Sequence, residues 1–174
     1  ANRTQAGFLG ACTTISGFAT MFVIGLANAL TPAAARAFTD GGTRALNRIL
    51  AKNALVMGTA VGGFLLATIL AGDWILAELV YNERFIGQGP TLAWLVAGVL
   101  ALSASVVFGN GLWAIQRPKL NLYADSVTLV VTLVVALSVV PSSGAIGAAI
   151  SICVGNFAGA IVRALVYRSA SREA

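Results

Sequence analysis

Few residues of this chain can do chemistry, and those few stand among apolar neighbours. Asp125 lies beside Tyr123 and Ser126, near the start of a run rich in Val and Leu. Asn28 comes just before Thr31-Pro32, Asn110 lies between Gly109 and Gly111, and Asn156 falls in the middle of the run 145–166. A carboxylate in an apolar medium is costly unless it is paired or wet. Asp125 is therefore expected to pair with Arg117 or Lys119 or to face water, with a proton-coupling role as its functional alternative. An amide in such a run more often bonds a neighbouring helix than a ligand. The rest of the inventory excludes most catalysis. The chain has no histidine, which removes the commonest general acid/base and metal ligand. Cys12 and Cys153 lie far apart, with neither CxxC nor zinc spacing, and read as small buried hydrophobes. No GxxxxGK[ST], HExxH or GxSxG occurs, and paired carboxylates at catalytic spacing are lacking, so neither an enzyme nor a cofactor is expected.

The elements that must position these residues follow from composition. Hydrophobic residues make up 58% of the 174 positions and charged residues 10%. A soluble domain runs at roughly 45–50% apolar and about 25% charged, and a sphere of this size cannot hide the excess. The composition excludes a soluble globular domain, a disordered chain and a coiled coil, and leaves an integral membrane protein. Five apolar runs reach the ~20 residues a helix needs to cross a bilayer: 7–30, 53–71, 92–114, 122–140 and 145–166. The fourth has strand-like propensity, but it is twice as long as a spanning strand and lacks the alternation of a barrel. The expected fold is all-α, a single polytopic bundle of five transmembrane helices over residues 1–174.

Charge placement orients that bundle. Arg36, Arg44, Arg48 and Lys52 follow the first run and Arg117 and Lys119 the third, and Arg163, Arg168 and Arg172 are assigned to the tail. Asp73, Glu78, Glu83 and Arg84 follow the second, and the uncharged turn Pro141-Ser142-Ser143-Gly144 follows the fourth. The positive-inside rule then places the N-terminus outside and the C-terminus inside, with Arg3 and Arg84 the outer basic residues. It also explains the net charge of +5 without nucleic acid. Ala27-Asn28-Ala29 looks like a signal cleavage site, but cleavage there would send the basic loops outward. The chain opens Ala1-Asn2-Arg3 and enters an apolar run at once, so a fragment lacking at least one leading helix is expected.

Small residues mark helix contacts. Gly144, Ala148, Ser151, Gly155 and Gly159 lie on one face of the fifth run, and Gly58 and Gly62 repeat the spacing in the second. Such residues let backbones approach where lipid supplies no drive between helices. Gly109-Asn110-Gly111 is either a hinge in the third run or a close helix crossing. Trp74, Tyr81 and Phe85 in a short amphipathic outer segment, with Trp94 and Trp113, read as interfacial anchors.

Three tracts resemble a known family. Val139-Val140-Pro141-Ser142-Ser143-Gly144-Ala145-Ile146-Gly147-Ala148-Ala149-Ile150 looks like the outer turn and Gly-x-x-Gly-Ala-Ala helix start of polysaccharide (O-antigen type) flippases, of the multidrug/oligosaccharidyl-lipid/polysaccharide exporter superfamily. Asn28 through Pro32 with the basic loop and Ala45-Leu46-Asn47-Arg48, and the tract from Gly111 through Asn121, are similar to that family's cytoplasmic links. The resemblance implies helices two to six of one six-helix half of a MATE-like flippase, which would need the missing half or a second copy. It implies export by alternating access of a lipid-linked oligosaccharide, of undecaprenyl-diphosphate type, across the bacterial inner membrane for cell-envelope polysaccharide or lipopolysaccharide biosynthesis. Arg36, Asn110, Arg117, Asn121, Asp125 and Asn156 are then the substrate-cavity candidates. A multidrug/cation antiporter of the same fold and a non-transport membrane assembly subunit are the alternatives.

Overall fold

A computed structural model describes residues 3–80 and 87–173. Tyr81, Glu83, Arg84 and Phe85 lie outside the described residues, as does the side chain of Arg3. The described residues form three helices and no strand: α1 (Arg3–Val80), α2 (Gly89–Ala114) and α3 (Lys119–Ala170). All three are long and apolar enough to cross a membrane. Helices suit such a chain because lipid offers no partner for a backbone N–H or C=O.

Two of the three are broken at defined points. In α1 the backbone leaves helical geometry at Gly41, Gly42 and Ala71, giving segments α1a (3–40), α1b (43–70) and α1c (72–80). Gly42 has φ 63° and ψ −158°, a conformation that a side chain disfavours. In α3 the break is Gly144 alone, at φ 57° and ψ −127°, between α3a (119–143) and α3b (145–170). Helical geometry thus runs on through Pro141-Ser142-Ser143 and turns at the last residue of the expected four-residue turn. Phe18 and Phe22 line a small cavity with Ala60 and Phe64, so α1a and α1b run antiparallel about the glycine pair.

Packing centres on α2. Its buried residues include Leu92, Leu95, Val96, Val99, Ser103, Val107 and Leu112, on more than one face. α1 and α3 each pack extensively on α2 and scarcely touch each other. α1a contributes the buried stripe Cys12, Ile15, Ala19, Val23, Leu30 and Ala34, and α1b contributes Leu46, Leu50, Met57 and Val61. These recur at helical spacing, as a face against a neighbouring helix requires. α3a is the least covered arm. It buries Asn121 and Ala124 and exposes Leu122, Leu129, Val130, Leu133, Val134 and Leu137.

Glycines set the closest approaches. A Cβ on Gly155 would overlap the Thr132 hydroxyl, and one on Gly159 the Thr128 hydroxyl, so α3a and α3b close along a small-residue seam. A Cβ on Gly98 would come 3.2 Å from the Cys153 Cα, which fixes the crossing of α2 and α3b. Gly58 and Gly62 have no atom within 4 Å of such a Cβ. α2 stays helical through Gly109-Asn110-Gly111. A Cβ on Gly111 would meet Tyr167 Cε2 at 2.6 Å and Leu50 Cδ1 at 2.8 Å, so this tract is a close crossing in this conformation.

The connections have local causes. α2 ends in a Schellman motif: Arg117 N–H donates to the Leu112 carbonyl at 2.9 Å, and Gln116 N–H donates to that of Trp113 at 3.0 Å. The position between them that favours glycine is held by Gln116, at φ 59°. Pro118 then caps α3. At the other end of the bundle Asp73 Oδ1 accepts the N–H of Gly87 at 2.9 Å and of Gly89 at 2.7 Å. There too Gln5 Oε1 accepts the Ala145 N–H at 3.2 Å, beside the Gly144 break.

Candidate functional site

The densest polar cluster inside the bundle gathers on α2, α3a and α3b. The residues from α2, and likewise those from α3a, lie one turn apart, which places each pair on one face. Ser105 and Gly109 come from α2, Asn121 and Asp125 from α3a, and Arg163 from α3b. Arg163 is the centre. Its Nη1 donates to Ser105 Oγ, and its Nη2 donates to Asp125 Oδ1 and, at 3.4 Å, to the Asn121 carbonyl. Asn121 Nδ2 donates to the Gly109 carbonyl at 3.2 Å. Gly109 makes room, since a Cβ there would lie 3.3 Å from Asn121 Oδ1 and 3.5 Å from Arg163 Cδ.

The ion pair is lopsided. The Arg163 side chain is 9% exposed and that of Asp125 62%. The guanidinium is held inside the bundle, while the carboxylate sits at its outer surface. Among the described residues, two buried side-chain atoms have no hydrogen-bond partner: Asn121 Oδ1, an acceptor, and Arg163 Nε, a donor.

Of the alternatives for Asp125, an exposed carboxylate fits, its side chain being 62% exposed, but its expected ion-pair partners and the tail placement of Arg163 are corrected. Asp125 pairs with neither Arg117 nor Lys119: Arg117 bonds Glu173 at 2.8 Å in an exposed ion pair, and Lys119 makes no ion pair among the described residues. Arg163 is not a charge of the tail but a buried residue of α3b, and it is the partner that sequence reasoning missed. The signal was present: Gly155, Gly159, Arg163 and Tyr167 form one series at i+4 spacing, so Arg163 continues the stripe of small residues.

The remaining candidates lie apart from this cluster. Asn110, on α2, has its Oδ1 2.6 Å from the Thr31 hydroxyl of α1a and donates from Nδ2 to the Val106 carbonyl at 3.1 Å. Asn156, on α3b, donates to the Gly98 carbonyl of α2 at 3.1 Å. Arg36 and Asn28 are exposed on α1a. Cys12 and Cys153 are buried free thiols, and no cluster of metal-ligating side chains occurs among the described residues.

Eight basic residues gather at one end. Arg36, Arg44, Arg48 and Lys52 flank the Gly41-Gly42 break, Arg117 and Lys119 the α2–α3 turn, and Arg168 and Arg172 the end of α3. Contacts hold these three places together: Tyr167 Oη donates to Asn47 Oδ1 at 2.6 Å, and Arg117 reaches Glu173.

A family model described as MatE matches residues 6–139, more than three quarters of the chain. Comparison with curated proteins and with solved structures returns no match.

Proposed function

The chain belongs to the MatE family of membrane transporters, and from that premise we propose that it takes part in flipping a lipid-linked oligosaccharide across the bacterial inner membrane. In this reading α1a, α1b, α2, α3a and α3b are five spans, the basic end faces the cytoplasm, and the N-terminus lies outside. They form part of one half of an alternating-access carrier. The other half comes from the same protein or from a second copy, and the passage lies between the halves.

The observation that carries this reading is the bonding of Asp125. Cation or proton antiport requires a carboxylate free to exchange its charge at membrane depth. Here that carboxylate is committed to Arg163, a permanently charged partner. A guanidinium is suited to a diphosphate, whose oxygens match its fork of donors. Arg163 would attract the head group, and Asp125 would hold the guanidinium in place while the passage is empty. The incoming diphosphate then competes with the Asp125 carboxylate, so binding and release shift one ion pair rather than bury a bare charge.

A drug or cation antiporter remains the second reading, favoured by the 62% exposure of the Asp125 side chain. Complementation separates the two. The full-length protein is expressed in a strain lacking its polysaccharide flippase, and surface polysaccharide and drug efflux are both measured. Restored polysaccharide that is lost in Arg163→Met, with no proton-coupled efflux, supports the flippase. Efflux abolished by Asp125→Asn, without restored polysaccharide, sinks it.

A further inference from the structure

Away from the Arg163 cluster, the basic end contains a cavity of about 600 Å³ with a composition of its own. Arg168 and Arg172 line it, together with Thr43, Asn47, Tyr167 and Ser171, over the apolar surface of Phe108 and Ala164. Neither Arg163 nor Asp125 lines it, and neither does any other carboxylate-bearing residue. Neither arginine has an ion-pair partner among the described residues. We infer that this cavity binds the phosphodiester head group of an anionic phospholipid from the surrounding leaflet.

Four observations lead there. Asn47 accepts the Tyr167 hydroxyl at its Oδ1, at 2.6 Å, which leaves its amide N–H groups as donors. Thr43 opens α1b directly after the non-helical Gly42, so the first turn of a restarted helix, with its partial positive charge, lies at the cavity wall. The polar groups are therefore two guanidiniums, an amide, the hydroxyls of Thr43, Ser171 and Tyr167, the last already donated to Asn47, and a helix start, a set rich in donors. The apolar lining from Phe108 and Ala164 suits a glycerolipid, which carries chains beside its phosphate, better than a free ion. Basic pockets between transmembrane helices at the cytoplasmic side are the usual seats of acidic lipid head groups. The inference is independent of the cargo and stands for a flippase or an antiporter alike.

The test uses the full chain in nanodiscs and native mass spectrometry of the released protein. The probes are phosphatidylglycerol, phosphatidylcholine and inorganic phosphate. The expected result is selective retention of phosphatidylglycerol. Each arginine contributes roughly fivefold, so Arg168→Gln with Arg172→Gln weakens retention about 25-fold. Lys52→Gln with Lys119→Gln removes the same charge at the same end but outside the cavity, and changes retention less than threefold. Equal losses in the two double variants would mean a diffuse charge effect and overturn the site. Equal retention of both lipids by the unaltered chain would overturn it without any variant. Displacement of phosphatidylglycerol by millimolar phosphate would reassign the cavity to a free anion.

Discussion

The unequal burial of Arg163 and Asp125 predicts unequal costs for their removal. In Asp125→Asn the guanidinium stays behind, 9% exposed, with only Ser105 Oγ and the distant Asn121 carbonyl as neutral partners. Leaving a buried charge without its counter-ion costs roughly 3–5 kcal/mol. The new amide still offers an oxygen, which puts this variant near the lower bound. In Arg163→Met the carboxylate is left instead. It is 62% exposed and six residues, about 9 Å, from the start of α3, within reach of the interface. The loss is then that of an exposed pair, about 1 kcal/mol or less, while the methionine fills the space beside Gly109. Asp125→Asn should therefore destabilise the chain by about 2 kcal/mol more than Arg163→Met. Adding Arg163→Met to Asp125→Asn should restore most of that difference, because it removes the stranded cation. The assay is reversible unfolding in mixed micelles, followed by tryptophan fluorescence and far-UV circular dichroism. Equal costs for the single variants, or a double variant that costs their sum, would refute the assignment of Arg163 as the buried member.

Three further outcomes are expected. Gly155→Ala drives a methyl into the Thr132 hydroxyl and within 3.0 Å of the Thr128 carbonyl; it should cost roughly 1–3 kcal/mol in micelle unfolding, and Thr132→Ala in the same chain should return part of that. Gln116→Gly relieves a left-handed non-glycine residue at φ 59° and should stabilise by about 1 kcal/mol in the same measurement. Asp73→Ala removes the acceptor for the Gly87 and Gly89 N–H groups, and hydrogen exchange at those two amides should accelerate about tenfold or more.

Much of the architecture is legible in residue type. The helical breaks fall at Gly41-Gly42, Ala71 and Gly144, at or beyond the ends of apolar runs, where the backbone can turn without orphaning its hydrogen bonds in lipid. The contacts between runs were harder to read. Arg117 and Lys119 lie closest to Asp125 in sequence, yet Arg117 sits on the turn beyond α2 and points to Glu173. By sign alone Arg163 reads as a topology charge, although it lies on the packed stripe of α3b. Each face of the polar cluster was visible as an i,i+4 pair, Ser105 with Gly109 and Asn121 with Asp125. Which faces meet depends on helix rotation, and the side-chain pattern of one helix does not contain that.

The position of α2 in the chain has a consequence for biosynthesis. The α1 hairpin and the α3 hairpin both dock on a helix that lies between them in sequence, and they scarcely touch each other. In the proposed five-span arrangement, α1a and α1b leave the ribosome and enter the bilayer before the helix they pack on. Their faces at Cys12 through Ala34 and Leu46 through Val61 are then covered by lipid until α2 arrives. α3 follows α2 in the chain and can be added to a partner already made. Assembly therefore follows translation order, with each new segment docking on the one just made, and a lesion in α2 would leave two inserted hairpins with no common surface to join them.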